Sequence, residues 1–415
     1  MTRRSRAFGP LPTPAEARSR YLAALALAPR GTERVPIAEA LGRVLAEDVV
    51  AAIDLPPFER SAVDGWAVRA ADTASAAPDL PVRLRVAGEV DMGAAPAVVV
   101  APGTAVRVPT GGMLPPGADA VVMQEDVLEE DGHVHVRGAA RAGGNVIPRG
   151  LDVRAGEVVL ARGRRLRPAD LGVLVGEGLT HVAVYRPPRV AIVATGDEVV
   201  PAGAPLGPGQ VRDTNSVALA GAVREAGGHP VQLGIVPDEL DATVAALRQA
   251  LDGHDMIVIT GGSSVGARDI VGPAIAALGP PGIIVHGIAV RPGKPTILAA
   301  SGRVPVIGLP GNPVSALVIF ELFAKPVLNQ LAGLDPSSGP WRLTRARLAA
   351  PLQPAPGRED HRRVRLEARP DGWWAVPLPA GSQVLTSLVR AHGIVAVPAG
   401  GGYDRGDEVE VYLLG

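Results

Sequence analysis

The sequence predicts a multidomain α/β plus β protein, in which a three-layer αβα domain with a mostly parallel sheet is joined to β-rich units. Three observations support this fold class. The chain has 415 residues, too many for one ordinary core, and 47% of them are hydrophobic, enough to fill several. Strands and helices alternate from Pro188 onward, as in a sheet covered by helices on both faces. Short Val-rich runs broken by Pro and Gly occupy residues 55–152 and the tail after Pro340.

The N-terminal part of the chain combines helical and strand-like patterns. Thr13-Pro14-Ala15-Glu16 is a capping box with proline at the first helical position, and it predicts a helix to about Ala28. Further helices are expected at residues 37–45 and near residues 169–176. Between them, the patterns predict an all-β module whose strands include residues 82–86, 98–100, 120–123 and 133–136.

The second half alternates regularly between strands and helices. The expected strands are residues 190–194, 231–236, 256–260 and 304–309, and the expected helices are residues 215–226, 238–251, 270–277 and 313–331. A hinge rich in Pro, Gly and Ser at residues 335–340 precedes a C-terminal unit of short strands.

The composition excludes several kinds of site. The net charge of −1 gives no overall attraction to nucleic acid or to an anionic membrane. Cysteine is absent, so thiol nucleophiles, disulfides and thiolate-bound metals are excluded. The one close histidine pair, His133 and His135, lies in a strand-like run, so a zinc site is not expected. A bound metal should therefore be a hard ion held by oxygen atoms, Mg²⁺ first.

The expected location of the protein is cytoplasmic. Residues 2–6, Thr-Arg-Arg-Ser-Arg, look like a twin-arginine export signal, but no apolar segment follows them. No uninterrupted apolar run of about 20 residues occurs, so no transmembrane helix is predicted.

Three predicted strands run into loops with unusual chemistry. These loops are Thr195-Gly196-Asp197-Glu198, Thr260-Gly261-Gly262-Ser263-Ser264-Val265-Gly266 and Leu309-Pro310-Gly311-Asn312-Pro313-Val314-Ser315. Ligands of open parallel sheets bind beyond the carboxyl ends of the strands, where all three loops should lie. Glycine-rich turns expose N–H groups to phosphate oxygens, and Asp197, Glu198 and Asp269 can hold Mg²⁺ between phosphates. The alternative is that each loop is only a tight turn, which explains one such loop better than three.

Arg291-Pro292-Gly293-Lys294-Pro295 places two cations on a backbone stiffened by proline. Lys294 and Lys325 are the only lysines in a chain that otherwise uses arginine. A compact ammonium in a cramped anion site is not replaceable by a planar guanidinium, so we expect this segment to bind an anion. The alternative is an exposed turn with solvated charges.

Three further segments carry polar residues in the β-rich module. They are Arg60-Ser61-Ala62-Val63-Asp64-Gly65-Trp66, Val108-Pro109-Thr110-Gly111-Gly112, and residues 143–152, which end at Asp152. By composition alone each is typical of a turn.

Taken together, these motifs resemble the MoeA-type molybdopterin molybdenumtransferases, and the resemblance covers nearly the whole chain. It depends on the order and spacing of the motifs above, with Arg212-Asp213-Thr214-Asn215 added. The resemblance implies a molybdopterin-binding, MogA-like α/β domain at residues 10–29 and 185–334 and a segmented linker domain at 30–54 and 153–184. It also implies a β-rich module at 55–152 and a C-terminal β-barrel at 340–415.

The resemblance also implies an activity, which is the insertion of molybdate into adenylylated molybdopterin with Mg²⁺ present, giving molybdenum cofactor and AMP. It implies a homodimer whose site is shared between subunits, and possible contact with the molybdopterin adenylyltransferase. By matching motif, the implied catalytic residues are Asp64, Thr110, Asp152 and Glu198, and the implied metal ligands are Asp197, Glu198 and Asp269. The stretch that binds molybdate is matched by Arg291, Lys294, Pro295 and Ser315, and the C-terminal unit would add Arg363 and Ser382. The implied ligand-binding residues on the loops are Thr195, Gly196, Thr260, Gly261, Gly262, Ser263, Ser264, Gly311 and Asn312.

Two positions depart from the family pattern. Ile147 stands where the family usually has a basic residue, with Arg149 nearby, and His361 stands where an aromatic residue is common. Three other functions fit parts of the sequence: the adenylyltransferase reaction, a molybdopterin-carrying scaffold without turnover, and an insertase for tungstate. The adenylyltransferase would need only residues 188–331, and a scaffold would not need Asp64, Glu198, Asp269 and Lys294 together.

Overall fold

The structure, a computed structural model, describes residues 10–261, 270–334 and 342–414. Helix α1 (Pro14–Ala24) begins at the predicted capping box, in which the Glu16 carboxylate accepts from the Thr13 N–H at 2.9 Å. The helix ends before Ala28 because Leu25 is extended. Strands β1 (Thr32–Pro36) and β2 (Val49–Val50) follow.

The helix expected at residues 37–45 is wrong. Only one 3₁₀ turn forms, at Ile37–Glu39, and the chain then turns at Gly42, whose φ is +75°. Val44 and Leu45 form β-bridges to the second half of the linker region, so tertiary pairing overrides the helical pattern here.

The β-rich module is built on a six-stranded sheet, in the order β7-β4-β6-β5-β9-β8, and on the separate pair β3–β10. Its strands are β3 (Arg60–Ser61), β4 (Gly65–Val68), β5 (Val82–Glu89), β6 (Thr104–Val108), β7 (Ala120–Met123), β8 (Val127–Glu130), β9 (His133–Val136) and β10 (Val146–Ile147). The strand expected at residues 98–100 is wrong. Pro96 and Pro102 bracket this segment, and Val100 reaches the core from a loop.

The chain then returns to the linker region. Strand β11 (Val158–Leu160) pairs with β2, and β12 (His181–Tyr185) pairs with β1, so two distant segments form one unit. Helix α2 (Pro168–Gly176) lies between them where a helix was expected, and its Leu174 is fully buried in their shared core.

The central α/β unit is built on a second six-stranded sheet, in the order β16-β13-β17-β21-β20-β18. The strands of the whole unit, inside and outside this sheet, are β13 (Arg189–Thr195), β14 (Val199–Val200), β15 (Val211–Arg212), β16 (His229–Val236), β17 (Met256–Thr260), β18 (Pro281–His286), β19 (Val290–Arg291), β20 (Ile297–Ser301) and β21 (Val304–Leu309). Its helices are α3 (Asn215–Glu225), α4 (Leu240–Leu251), α5 (Val271–Ala276), α6 (Pro313–Ile319) and α7 (Lys325–Leu331). Strands β16, β13, β17 and β21 pair in parallel, while β20 pairs antiparallel with both β21 and β18. One strand of six therefore runs opposite to the others, which confirms the mostly parallel sheet.

Alternating side chains of the central strands fill two cores. Val190 and Ile192 face the layer of α1, α3, α6 and α7, whereas Ala191 and Val193 face α4 and α5. All four residues are fully buried, and both sheet faces are covered. The predicted three-layer αβα arrangement is therefore confirmed.

Helices α6 and α7 are joined by a π-helical turn, Phe320–Ala324, into one 19-residue helix. By length and composition alone this helix could cross a membrane, but 67% of its apolar window is buried inside the protein. Phe320 and Phe323 lie in the core beneath the central sheet. Core helices commonly meet the same length and composition criteria.

The C-terminal unit is the predicted small β-barrel. Its elements are β22 (Leu343–Leu348), β23 (Glu359–Arg369), β24 (Gly372–Pro377), α8 (Thr386–Val389), β25 (Gly393–Val397) and β26 (Glu408–Leu413). Strand pairing runs β23-β24-β22-β26-β25 and returns to β23, which closes five strands into a barrel. Strand β19 of the α/β unit pairs in parallel with β23 and so attaches the barrel to the central unit.

Candidate functional site

The three loops singled out in the sequence lie side by side. Strands β13, β17 and β21 are parallel neighbours, with Thr260 paired to Ala194 on one side and to Leu309 on the other. Their carboxyl ends therefore meet at one edge of the sheet, as the sequence predicts. Gly262, Ser263, Ser264 and Asp269 lie outside the described residues.

Gly261 brings two of these loops into contact. Its φ is +117°, and a Cβ atom there would lie 2.2 Å from the Thr195 carbonyl oxygen. Only glycine fits this backbone and this spacing. The Gly261 α-carbon also lies 3.6 Å from where a Cβ of Gly311 would stand, so the third loop is close as well.

A carboxylate that the sequence reasoning missed lies beside the first loop. The Asp238 N–H donates to the Asp197 carboxylate at 3.1 Å. Burial raises the pKa of Asp238, the charges of Asp197 and Glu198 raise it further, and the Asp197 and Thr195 hydrogen bonds act in the opposite direction. Asp238 follows β16, the fourth parallel strand, so the edge rule applied to the other three loops could have found it.

Of the predicted magnesium ligands, Asp197 and Glu198 lie in the described part of the chain and Asp269 does not. No group of three or more His, Asp or Glu side chains there is arranged to hold a metal ion. Asp197 and Glu198 are both exposed at the loop, close enough to Asp238 to affect its pKa.

Next to this edge is a cavity of about 390 Å³ between the α/β unit and the barrel. Five cationic side chains line it, together with Asp360, His361 and several polar residues. The cations are Arg291, Lys294, Arg358, Arg362 and Arg363. Pro295, Asn312, Ser315 and Ser382 also line it, so the structure brings together every residue that the sequence placed in an oxyanion site.

Tight backbone packing forms the wall that carries Lys294. Gly293 has a φ of +116°, and a Cβ atom there would lie 2.4 Å from the Ile319 side chain. The Lys294 carbonyl accepts from the Ile288 N–H at 3.0 Å, which fixes the turn. Lys294 itself is exposed toward the cavity that it lines.

Arg363 is the most buried cation of the cavity, with 4% of its surface exposed. Its guanidinium donates to the carbonyls of Pro379 and Gly381 at 3.0 and 3.2 Å, and its Nε has no partner. Burial lowers the pKa of Arg363, as does the neighbouring Arg362. A buried cation with an unsatisfied donor is a site that an anion would stabilise.

His361 does not displace Arg363 from the cavity. The His361 ring is buried and its Nε2 lies 2.8 Å from the Glu359 carboxylate on the same strand. Arg363 follows two residues later along β23, so it keeps the same side of the strand and reaches the cavity.

Direct contacts hold the barrel against the α/β unit beside the cavity. Val314 and Val318 of α6 pack against Ile394 of β25, and the Val314 N–H donates to the Ser382 carbonyl at 3.2 Å. Arg291 lies 3.7 Å from the Asp360 carboxylate. These contacts join the two walls of the cavity directly.

The β-rich module presents a separate polar group. The Asp64 carboxylate accepts from the Thr110 N–H at 2.8 Å, and both residues are exposed. The cavity lining extends from Val290 to Gln383 and includes no residue of the module. Arg149 forms an ion pair with Asp54 at 2.5 Å, where the linker region joins the module. Within the described chain, Asp64, Thr110 and Asp152 thus do not join the cavity.

Comparisons with known proteins cover almost the whole chain. Family models match residues 13–178 (MoeA N-terminal region, domains I and II), 191–330 (probable molybdopterin binding domain) and 345–414 (MoeA C-terminal region, domain IV). A molybdopterin molybdenumtransferase 2 of Mycobacterium tuberculosis is 38% identical over 88% of this chain and 90% of its own length. A molybdopterin molybdenumtransferase of Bacillus subtilis is 36% identical over 92% of this chain and 90% of its own length.

Solved structures agree with these matches. A molybdopterin biosynthesis MoeA protein of Pyrococcus horikoshii is 33% identical, with a TM-score of 0.84 over 97% of this chain and 100% of that chain. A second MoeA structure from the same genus is 38% identical, with a TM-score of 0.79 over 97% of this chain and 99% of that one.

Proposed function

This chain belongs to the MoeA family of molybdopterin molybdenumtransferases, and we propose that it inserts molybdate into adenylylated molybdopterin, releasing AMP. It is a transferase of molybdenum cofactor biosynthesis. The observation that supports the oxyanion part best is the cavity between the α/β unit and the barrel. Molybdate is a tetrahedral dianion, which calls for cations together with hydroxyl or backbone donors.

The cavity supplies those donors at known positions. Arg291 and Lys294 line one wall, Ser315 stands near the start of α6, and Arg363 with Ser382 lines the barrel side. Arg363 lines this cationic cavity, and its Nε is a buried donor without a partner among the described residues. We assign the oxyanion to this cavity.

The nucleotide and pterin phosphates are assigned to the edge where the three loops meet. Thr195, Gly196, Thr260, Gly261, Gly311 and Asn312 belong to loops that end parallel strands, and such loops offer backbone N–H groups to phosphate oxygens. This edge and the cavity share Pro310 and Asn312. The arrangement would place phosphate and oxyanion next to each other.

The oxygen donors at this edge suit Mg²⁺. Burial raises the pKa of Asp238, the charges of Asp197 and Glu198 raise it further, and a cation would relieve the repulsion among the three carboxylates. Asp197, Glu198 and Asp269 would hold the ion, which would neutralise phosphate charge. Glu198, exposed at the loop, can accept a proton from an attacking water.

We propose that Asp64, Thr110 and Asp152 join the site from a second copy of the chain. They do not line the cavity of their own chain, so a homodimer with a shared site would be needed to bring them there. We propose that the protein acts in the cytoplasm, where it can also meet the adenylyltransferase that supplies its substrate.

The direct test mixes the protein with adenylylated molybdopterin, molybdate and Mg²⁺ and follows AMP release. We expect release that depends on molybdate, stops with a chelator and returns with Mg²⁺. Glu198→Gln should keep the fold and lower the rate at least about 100-fold, the scale of losing one acid–base or charge-stabilising group. Binding without AMP release would indicate a scaffold, and consumption of ATP with pyrophosphate release would indicate an adenylyltransferase. Tungstate in place of molybdate tests the preferred oxyanion.

A further inference from the structure

Asn215 is the first residue of α3 and lies at the edge where the three loops meet, with 9% of its surface exposed. Its side-chain amide donates two hydrogen bonds to two different loops. One goes to the Thr260 hydroxyl and the other to the Gly311 carbonyl, each at 2.8 Å. Both N–H groups of the amide are therefore used to join the loop after β17 to the loop after β21.

The link continues to the wall of the cavity. The Thr260 hydroxyl lies 3.4 Å from the Pro310 carbonyl, toward which it can donate a longer hydrogen bond. Pro310 and Asn312 line the cavity, whereas Thr260 and Asn215 do not. Asn215 thus contacts Thr260, at the end of β17, and Gly311, between two residues that line the cavity. Asn215 itself does not line the cavity.

A longer contact runs beside this link. The backbone hydrogen bond from the Gly261 N–H to the Leu309 carbonyl is 3.4 Å long. The remaining oxygen of the Asn215 amide is buried without a partner, so the amide orientation is set by its two donated bonds. A buried amide held by its donors fixes the geometry of its acceptors in turn.

We propose that Asn215 is a positioning residue that holds the segment Pro310–Gly311–Asn312, whose two end residues line the oxyanion cavity, in register with Thr260 at the end of β17. The inference rests on the proposed function, because it takes the cavity as the molybdate site. Two ligand sites joined through one side chain are coupled, so disturbing this link should weaken oxyanion binding from outside the cavity.

The experiment measures molybdate binding to the full-length protein by calorimetry, together with the midpoint of thermal unfolding. Asn215→Asp keeps the size of the side chain but removes both donors. We expect molybdate affinity to fall at least about 10-fold, the cost of about one lost hydrogen bond at a charged site. Gln232→Glu is the matched control. Gln232 lies on β16 and is exposed, and its amide donates to the carbonyl of Ser216, the neighbour of Asn215 in α3, at 2.9 Å. It should bind molybdate like the wild type.

Thr260 provides a second variant in case Asn215→Asp does not fold. Thr260→Val removes only the hydroxyl of the link, and Thr260→Ser retains it. We expect the valine variant to lose more molybdate affinity than the serine variant, beyond any difference between their unfolding midpoints. Wild-type affinity in Asn215→Asp or Thr260→Val would overturn the inference, as would a loss that merely follows the unfolding midpoint. Absence of molybdate binding by the wild type would instead contradict the proposed function.

Discussion

At the scale of single residues, the cations that line the cavity differ in how deeply they are buried. Arg363 is buried and held by two carbonyls, whereas Lys294 is exposed at the cavity and carries a compact charge. A planar guanidinium suits the fixed position, and an ammonium on a flexible stem suits a position that must adjust to a ligand. Sequence reasoning singled out Lys294 because lysine is rare in this chain, and the structure places it in the same cavity as Arg363.

Lys294→Ala should weaken the molybdate response without a similar effect on adenylylated molybdopterin. The loss of one charge-assisted contact costs about 1.5–3 kcal/mol, or about 10- to 150-fold in half-saturation. Lys294→Arg should rescue only part of it, since the guanidinium is larger and flat. Molybdate titrations of AMP release, with calorimetry of the pterin ligand, provide the measurement. Loss of pterin binding with normal molybdate half-saturation would show that Lys294 contacts the phosphates and not molybdate.

Asp238→Asn should make the protein more stable at neutral pH. Because burial and the charges of Asp197 and Glu198 raise the pKa of Asp238, the folded protein favours the neutral acid. The stability that this provides is complete below the unfolded pKa and is lost as pH rises through the folded pKa. The gain from asparagine should therefore be small near pH 3 and increase as pH rises toward neutrality. Urea unfolding across pH measures it, and a gain that does not depend on pH would contradict the assignment.

At the scale of elements, the loops depend on a few positions where only glycine fits. Gly261 has a φ of +117° and stands against the Thr195 carbonyl, so the loop after β17 can approach the loop after β13. The sequence shows the glycine, but the reason for it is a contact between segments separated by more than sixty residues. Such contacts also explain the two wrong element predictions, at residues 37–45 and 98–100. In the first, bridges to distant residues replaced a helix, and in the second the apolar residues reach the core from a loop.

Gly261→Ala should move the loop after β17 away from the Thr195 loop. The added Cβ would lie 2.2 Å from the Thr195 carbonyl and 2.5 Å from its hydroxyl, far inside van der Waals contact. We expect pterin binding to fall more than about 10-fold, with a loss of about 1–3 kcal/mol in unfolding free energy from backbone strain and overpacking. Gly253→Ala is a matched control, since it has a positive φ but no atom within 4 Å of the new Cβ. It should lose stability but keep pterin binding.

At the scale of the whole molecule, the cavity is formed by the α/β unit and the barrel alone. Strand β19 pairs with β23 across the boundary, and Val314 and Val318 pack against Ile394. The Asp64–Thr110 pair lies in the β-rich module and is absent from the cavity lining. Within one chain, the two halves of the proposed active site therefore lie apart.

Coexpression of two impaired variants, assayed at molybdate concentrations well below the half-saturation of the lysine variant, tests whether a second chain reunites them. In a shared-site dimer, a heterodimer of Asp64→Asn and Lys294→Ala has one site with both changes and one with neither. Random pairing should restore about a quarter of wild-type AMP release. Each variant expressed alone serves as the control. If both halves belong to the same chain, the mixture should stay as inactive as its components.

The sequence by itself determined the fold class, the strand and helix order of the α/β unit, and the edge at which its loops meet. These properties follow from local periodicity and from the rule that parallel strands end on one side of a sheet. The tertiary structure decided the rest. It brought Arg363 and Ser382 of the barrel to Lys294 and gave Asn215 its two loop contacts. These depend on packing between segments far apart in the chain, where neither spacing nor composition carries a signal, and only the folded backbone sets the distances.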